Sequence, residues 1–238
     1  MNGRFIGVGV GPGDPELITL KAARLMREAD LVAYLANPEG VSQARGIAAA
    51  VLADAREGQR ELPVCMPMSD KRDLANRAYD EAAQAIREAL DAGQQVVFLC
   101  EGDPLFFGSF TYLLIRLEDD YTCEVVPGVS SVNAAAARLH LPLTVQAESF
   151  AVISGRHDEA ELVDVLNTHD SVVIMKAGRA RPRILRALKL TGRSGEARYL
   201  EYIGRDNERI ENDVTRLADE AGPYFSLFVV TRRERSIR

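Results

Sequence analysis

The chain has 238 residues, of which 47% are hydrophobic and 27% charged, the make-up of a soluble globular protein long enough for two small domains. A net charge of −6 argues against an overall attraction to nucleic acid or anionic membrane and leaves room only for local basic patches. No apolar run reaches about 18 residues and the N-terminus lacks a charged-then-apolar signal pattern, so a cytoplasmic protein without a membrane span is expected.

Arg4 to Val10 reads as a strand closing into Gly11-Pro12-Gly13-Asp14-Pro15, where the two prolines forbid an immediate helix. Thr19 is a candidate N-cap for a helix over Leu20–Glu28. The spacing Gly7-x-Gly9-x-Gly11 lacks the dinucleotide fingerprint, which needs G-x-G-x-x-G running straight into a helix. A phosphate loop is excluded as well, because no Gly-Lys-Ser/Thr follows; these glycines serve backbone proximity rather than phosphate capture.

Residues 29–34 read as a second strand, 43–53 as an Ala-rich helix, and Leu62-Pro63-Val64 as a short edge strand, where proline is tolerable. Asp73–Asp91 carries apolar positions at helical spacing and stops at Gly93. Gln95–Cys100 is a short apolar run of strand length, read as a buried parallel strand. It leads into Glu101-Gly102-Asp103-Pro104-Leu105-Phe106-Phe107-Gly108, an acidic Gly-Pro loop at the place where open α/β sheets hold ligands. Cys123–Val126 is a strand ending at Pro127-Gly128, and Ser130 or Ser131 can cap the helix that runs on to Leu139.

Beyond His140 the pattern changes. Strands are expected over 150–153, 171–175, 198–203 and 224–230, with helices over 159–167, 180–189 and 213–221. The fold class is therefore α/β, as two α/β domains: residues 1–127 on a mainly parallel sheet and 128–238 on a mixed sheet, with the boundary between 116 and 145. The tail from Arg232 to Arg238 reads as a solvated end. Cys65, Cys100 and Cys123 fit no metal spacing and read as small buried hydrophobes. His140, His157 and His169 are not spaced as metal ligands, so no metal site is expected and the histidines take solvated or local structural roles. No hydrolytic triad or Gly-x-Ser-x-Gly elbow is present, and no catalytic residue is assigned.

Taken in order, Gly7–Pro15, Glu101–Ser109 and Pro127–Ser131 resemble the tetrapyrrole methylase family, S-adenosylmethionine enzymes of corrinoid and sirohaem biosynthesis. The Glu-Gly-Asp-Pro-Leu-Phe form, with Pro-Gly-Val-Ser-Ser and a later Met175-Lys176, looks most like the branch that methylates C20 of precorrin-2. Phe107 stands where relatives often carry Tyr, so no role for a hydroxyl is expected there. The resemblance implies a cofactor cleft between the two domains, a homodimer and a reduced tetrapyrrole substrate; no nucleic-acid or membrane partner is expected, on the charge and hydropathy given above. It implies cofactor contacts at Pro12, Glu101, Gly102, Asp103, Phe106, Ser130 and Ser131, with others around Lys176, Ala177, Tyr202 and Ile203. A substrate bearing many carboxylates needs local cations, for which Arg179, Arg181 and Arg183, or Arg205 and Arg209, are candidates. Rival readings are a methyltransferase of this fold with another acceptor, a non-enzymatic nucleotide- or tetrapyrrole-binding module, and a nicotinamide dehydrogenase.

Overall fold

The computed structural model describes residues 3–67 and 72–232. The chain divides into two compact units, Met1–Ser131 and Val132–Arg238.

The first unit is built on five strands: β1 (Arg4–Gly9), β2 (Leu31–Ala36), β3 (Arg60–Cys65), β4 (Gln95–Cys100) and β5 (Thr122–Val126). They lie in the order β3-β2-β4-β1-β5 and every pairing is parallel. Alternation of side chains sends each strand's apolar residues to two opposite faces. Phe5, Ala33 and Phe98 pack against α4 (Arg72–Asp91) and α5 (Phe110–Leu117) on one face. Ile6, Val8 and Leu99 pack on the other against α1 (Leu20–Glu28), α2 (Gln43–Ile47) and α3 (Ala49–Leu52). Each fully buried Phe or Leu in these layers contributes about 1.5–3 kcal/mol. Pro63 sits in edge strand β3, where a missing N–H costs no ladder bond on the free side.

In the second unit β6 (Phe150–Ser154), β7 (Ser171–Met175), β10 (Ser226–Thr231), β8 (Ala197–Glu201) and β9 (Arg209–Glu211) form a sheet in that order. Only β6 and β7 pair in parallel, so the sheet is mixed. One face packs on α7 (Glu159–Thr168) and α8 (Arg181–Leu190) through Leu162, Leu166, Ile184 and Leu188. The other takes Val132 and Ala135 of α6 (Ser131–Leu139).

Several expectations need correction. The 43–53 helix is interrupted at Ala48, which closes α2 and opens α3 with ψ near 0°. Residues 213–221 hold only a three-residue 3-10 turn, Val214–Arg216. The turn ends at Leu217, whose backbone is already extended (φ −71°, ψ 137°), and the Arg181 side chain holds the segment beyond it through the carbonyls of Glu220 (2.7 Å) and Ala221 (3.4 Å). Helix α5 and the short strand β9 were not expected. Cys65 is exposed on the edge strand rather than buried, while Cys100 is buried and Cys123 half-buried. The tail residues 233–238 lie outside the described residues, and Arg232 pairs with Asp170 at 2.7 Å. Among the described residues no helix is long and apolar enough to cross a membrane, and no cluster of three metal-ligating side chains occurs.

Candidate functional site

Strands β4, β1 and β5 of the first sheet are successive neighbours, with β5 at the edge, and run in one direction. Their C-terminal ends therefore emerge along one edge, and each carries one of the three motifs. Helix α1, after β1, packs on one face of the sheet, and α5, after β4, packs on the other. Adjacent strands whose following helices go to opposite faces leave a crevice at their carboxyl ends, the usual ligand position in open α/β sheets.

The motifs touch through their glycines. A Cβ on Gly9 would lie 2.5 Å from the Gly102 carbonyl oxygen and 2.6 Å from the Gly128 nitrogen. A Cβ on Gly128 would lie 2.1 Å from the same oxygen and 2.8 Å from the Gly9 Cα. Only hydrogen fits at either position. Gly11 and Gly102 form an isolated antiparallel bridge, with Gly102 N–H donating to Gly11 O at 2.8 Å and Gly11 N–H to Gly102 O at 3.4 Å. Gly102 adopts φ +65°, and a Cβ there would meet only the Ser130 Cα at 3.8 Å and the Val129 oxygen at 3.9 Å. Conformation favours glycine at Gly102, and space requires it at Gly9 and Gly128.

The loop after β1 delays the next helix as the prolines demand. Asp14 caps a single 3-10 turn (Pro15–Leu17) through Glu16 N–H at 2.9 Å, and Thr19 then caps α1 through Ala22 N–H at 3.2 Å. Pro12 is buried in this loop. In the loop after β4, Asp103 Oδ1 accepts from Leu105 N–H (2.9 Å) and Phe106 N–H (3.1 Å), and Oδ2 accepts from Gly128 N–H (3.1 Å). Leu105, Phe106 and Phe107 follow as an exposed apolar lip, with the two phenyl rings edge-on, 5.3 Å between centroids. Phe107 is held at φ +56°, left-handed backbone that costs a non-glycine residue on the order of 1–2 kcal/mol. Glu101 and Ser130 are half-buried beside the glycines, and Ser131 opens α6. The structure thus brings Pro12, Glu101, Gly102, Asp103, Phe106, Ser130 and Ser131 to one sheet edge.

The other four expected residues form a second group, within the second unit. Lys176 and Ala177 follow β7; Tyr202 and Ile203 follow β8; both strands run antiparallel to β10 between them. Ala177 N–H donates to Ser226 O at 3.1 Å and Tyr202 N–H to Phe225 O at 2.9 Å, so both pairs flank the start of β10. Lys176 (φ +55°) and Tyr202 (φ +51°) are again left-handed non-glycine residues, strain of the kind that gathers at ligand sites. Ala177 and Ile203 are buried. Burial, then the nearby Arg156 guanidinium, pushes the Lys176 ammonium below its usual range. Gly155, not singled out from sequence, belongs here: its N–H donates to Met175 O at 2.7 Å and a Cβ on it would sit 3.0 Å from Lys176 O. Phe225 and Ser226 also went unread; the strand pattern was visible, but not which strand would lie between β7 and β8.

The arginine candidates separate. Arg181 is 5% exposed, bonded to two carbonyls and 3.7 Å from Glu201, so it is a structural cation and not a substrate ligand. It borders a cavity of about 390 Å³ whose rim includes Arg209, Arg216, Glu201 and Glu220. Arg183 donates to Gly155 O at 2.7 Å. The Arg205 guanidinium lies over the Phe225 ring, its Cζ 4.2 Å from the ring centre. Arg179 and Arg209 are exposed.

Residues 4–218 match the model of the tetrapyrrole (corrin/porphyrin) methylases, and the chain belongs to that family. It is 38% identical over 236 residues to a precorrin-2 C(20)-methyltransferase of a Sinorhizobium species, covering 96% of this chain and 95% of that protein. It is 33% identical over 235 residues to the cobalt-precorrin-2 C(20)-methyltransferase of Salmonella typhimurium, covering 98% of each. Among solved structures, the uroporphyrin-III C-methyltransferase of Thermus thermophilus complexed with S-adenosylhomocysteine is similar at a TM-score of 0.67 and 29% identity. That alignment covers 96% of this chain and 97% of the other.

Proposed function

We infer that the protein transfers a methyl group from S-adenosylmethionine to C20 of precorrin-2. The observation that carries this reading is the meeting of Gly9, Gly102 and Gly128 at one sheet edge, together with near-full-length similarity to two C20-methyltransferases. The residues fit the cofactor. Bare glycine backbone admits close approach, the Glu101 carboxylate suits a ligand rich in donors, and the Leu105–Phe107 lip offers apolar area for adenine. Pro12, Glu101, Gly102, Asp103, Phe106, Ser130 and Ser131 are proposed to hold it, with further contacts from Lys176, Ala177, Tyr202 and Ile203.

When bound, S-adenosylmethionine supplies an electrophilic methyl on a sulfonium. The chain's own task is orientation: two reactants held in line gain about 7–11 kcal/mol over free encounter. Rigid strand ends joined by bonded glycine backbone suit that task. Arg179, Arg205 and Arg209 remain as candidates for the substrate carboxylates, and Arg205 is pre-oriented by its stacking on Phe225. The identity is higher to the relative named for precorrin-2 (38%) than to the one named for cobalt-precorrin-2 (33%), which favours metal-free precorrin-2 as substrate. We further infer that the protein works as a cytoplasmic homodimer, which light scattering tests against the 26.1 kDa of one chain.

The test is incubation of the purified protein with S-adenosylmethionine and either metal-free or cobalt-loaded precorrin-2. Mass spectrometry should find one added methyl, faster on the metal-free macrocycle. No methyl on either macrocycle refutes the assignment; faster transfer to the cobalt form reverses the choice of substrate.

A further inference from the structure

We propose that Asp103 is a positioning residue, whose carboxylate ties the loop after β4 to the loop after β5 and meets the cofactor only through the backbone it holds. The inference rests on the cofactor reading above. Its carrier is the division of labour between the two carboxylate oxygens. Oδ1 accepts from Leu105 and Phe106 N–H and so shapes its own loop into a tight turn that projects the apolar lip. Oδ2 accepts from Gly128 N–H, twenty-five residues away on the loop after β5, so the bond reaches across the end of the intervening strand β1. Both oxygens are thus engaged by main-chain donors, three in all, which fix the group in one orientation.

The tie acts where the packing is closest. Gly128 is the residue whose Cα must lie against Gly102 and Gly9, where no Cβ fits on either Gly128 or Gly9. Each loop end is thus held twice, by main-chain contact at the glycines and by the Asp103 carboxylate beside them. Loss of the Oδ2 bond frees Gly128, and with it Val129 to Ser131, to drift from Gly102. A ligand spanning both loops then meets a site of variable width.

A carboxylate facing the ligand predicts something different. It would attract the sulfonium of S-adenosylmethionine more than the uncharged sulfur of S-adenosylhomocysteine. The experiment is calorimetric titration of wild-type, D103N and D103A protein with both nucleosides, with amide hydrogen exchange on the same samples. In D103N the side-chain oxygen still serves Leu105 and Phe106, but the amide group now opposes Gly128 N–H. The positioning role predicts that D103N weakens both nucleosides by the same factor, roughly tenfold for one lost charge-assisted bond. It also predicts faster exchange at Gly128 with protection retained at Leu105 and Phe106, and loss at all three in D103A. S-adenosylmethionine weakened far more than S-adenosylhomocysteine, or unchanged exchange at Gly128 in D103N, would overturn the proposal. If D103A does not fold, D103N decides alone. Failure of the cofactor reading looks different: the wild-type protein then binds neither nucleoside, and the positioning role falls with it.

Discussion

Replacement of Gly128 by alanine is the sharpest probe of the site's construction. The added methyl would stand 2.1 Å from the Gly102 oxygen, whereas ordinary contact begins near 3.4 Å, so the two loops must part by 1.3 Å. Both obstacles are backbone, the Gly102 carbonyl and the Gly9 Cα, and no side chain can swing aside. Overpacking of this kind costs about 1–3 kcal/mol. Parting the loops also strains the Gly11–Gly102 bridge and the Asp103–Gly128 bond, each worth about 1 kcal/mol. A total of roughly 2–4 kcal/mol is expected in urea unfolding followed by circular dichroism. Calorimetry should show S-adenosylhomocysteine affinity falling in parallel. Gly46→Ala in α2 is the control: nothing lies within 4 Å of a Cβ there, so a helical alanine should gain about 0.5–1 kcal/mol. A Gly128→Ala protein as stable as wild type, binding the nucleoside unchanged, would refute the argument from close approach.

Other predictions follow from the same structure. Arg181→Ala strands the buried Glu201 carboxylate and frees two carbonyls, and should destabilise by about 3–5 kcal/mol in denaturant unfolding while leaving the KM for the tetrapyrrole unchanged. Lys176→Gly relieves left-handed strain, so its melting temperature should equal or exceed wild type even as nucleoside affinity drops; a clear loss of stability contradicts the strain reading. The Asp170 carboxyl is held down at about 2 by the Ser149 N–H and hydroxyl, then by Arg232. Its depressed value adds stability that is present above the unfolded carboxyl's range near 4 and is lost as pH falls from there through about 2. Acid unfolding curves of Asp170→Asn should lack that component. Thiol titration should find Cys65 fast, Cys123 slower, and Cys100 reactive only after unfolding, because burial raises the Cys100 thiol far above its usual range.

Much of the first unit was legible because its signals are local. Thr19 caps α1 at the expected residue, Pro63 marks the edge strand, and the acidic Gly-Pro loop follows the central strand β4. Helix α5 escaped because Phe-Thr-Tyr-Leu-Leu-Ile-Arg-Leu is apolar nearly throughout; Phe110, Leu113 and Leu117 do hold helical spacing, but Tyr112 and Ile115 blur the polar face. The 213–221 segment turns only once and is extended at Leu217; what holds the chain beyond it is non-local, since Arg181, some forty residues earlier, binds the Glu220 and Ala221 carbonyls. At the site, the motifs named Gly102 and Asp103, yet the demand for bare Cα at Gly9 and Gly128 exists only once three strand ends lie side by side. Lys176 and Tyr202 gave no conformational warning, because neither is the glycine or asparagine that usually marks left-handed backbone.

The central claim is that glycine turns at adjacent strand ends hold a methyl donor against a reduced macrocycle. Incubation of the wild-type protein with methyl-carbon-13 S-adenosylmethionine and precorrin-2 carbon-13-labelled at its meso carbons, read by NMR, tests it most directly. The account predicts a single enriched methyl resonance, coupled to the C20 meso carbon. Enrichment at any other carbon, or none in protein that binds the nucleoside, contradicts it.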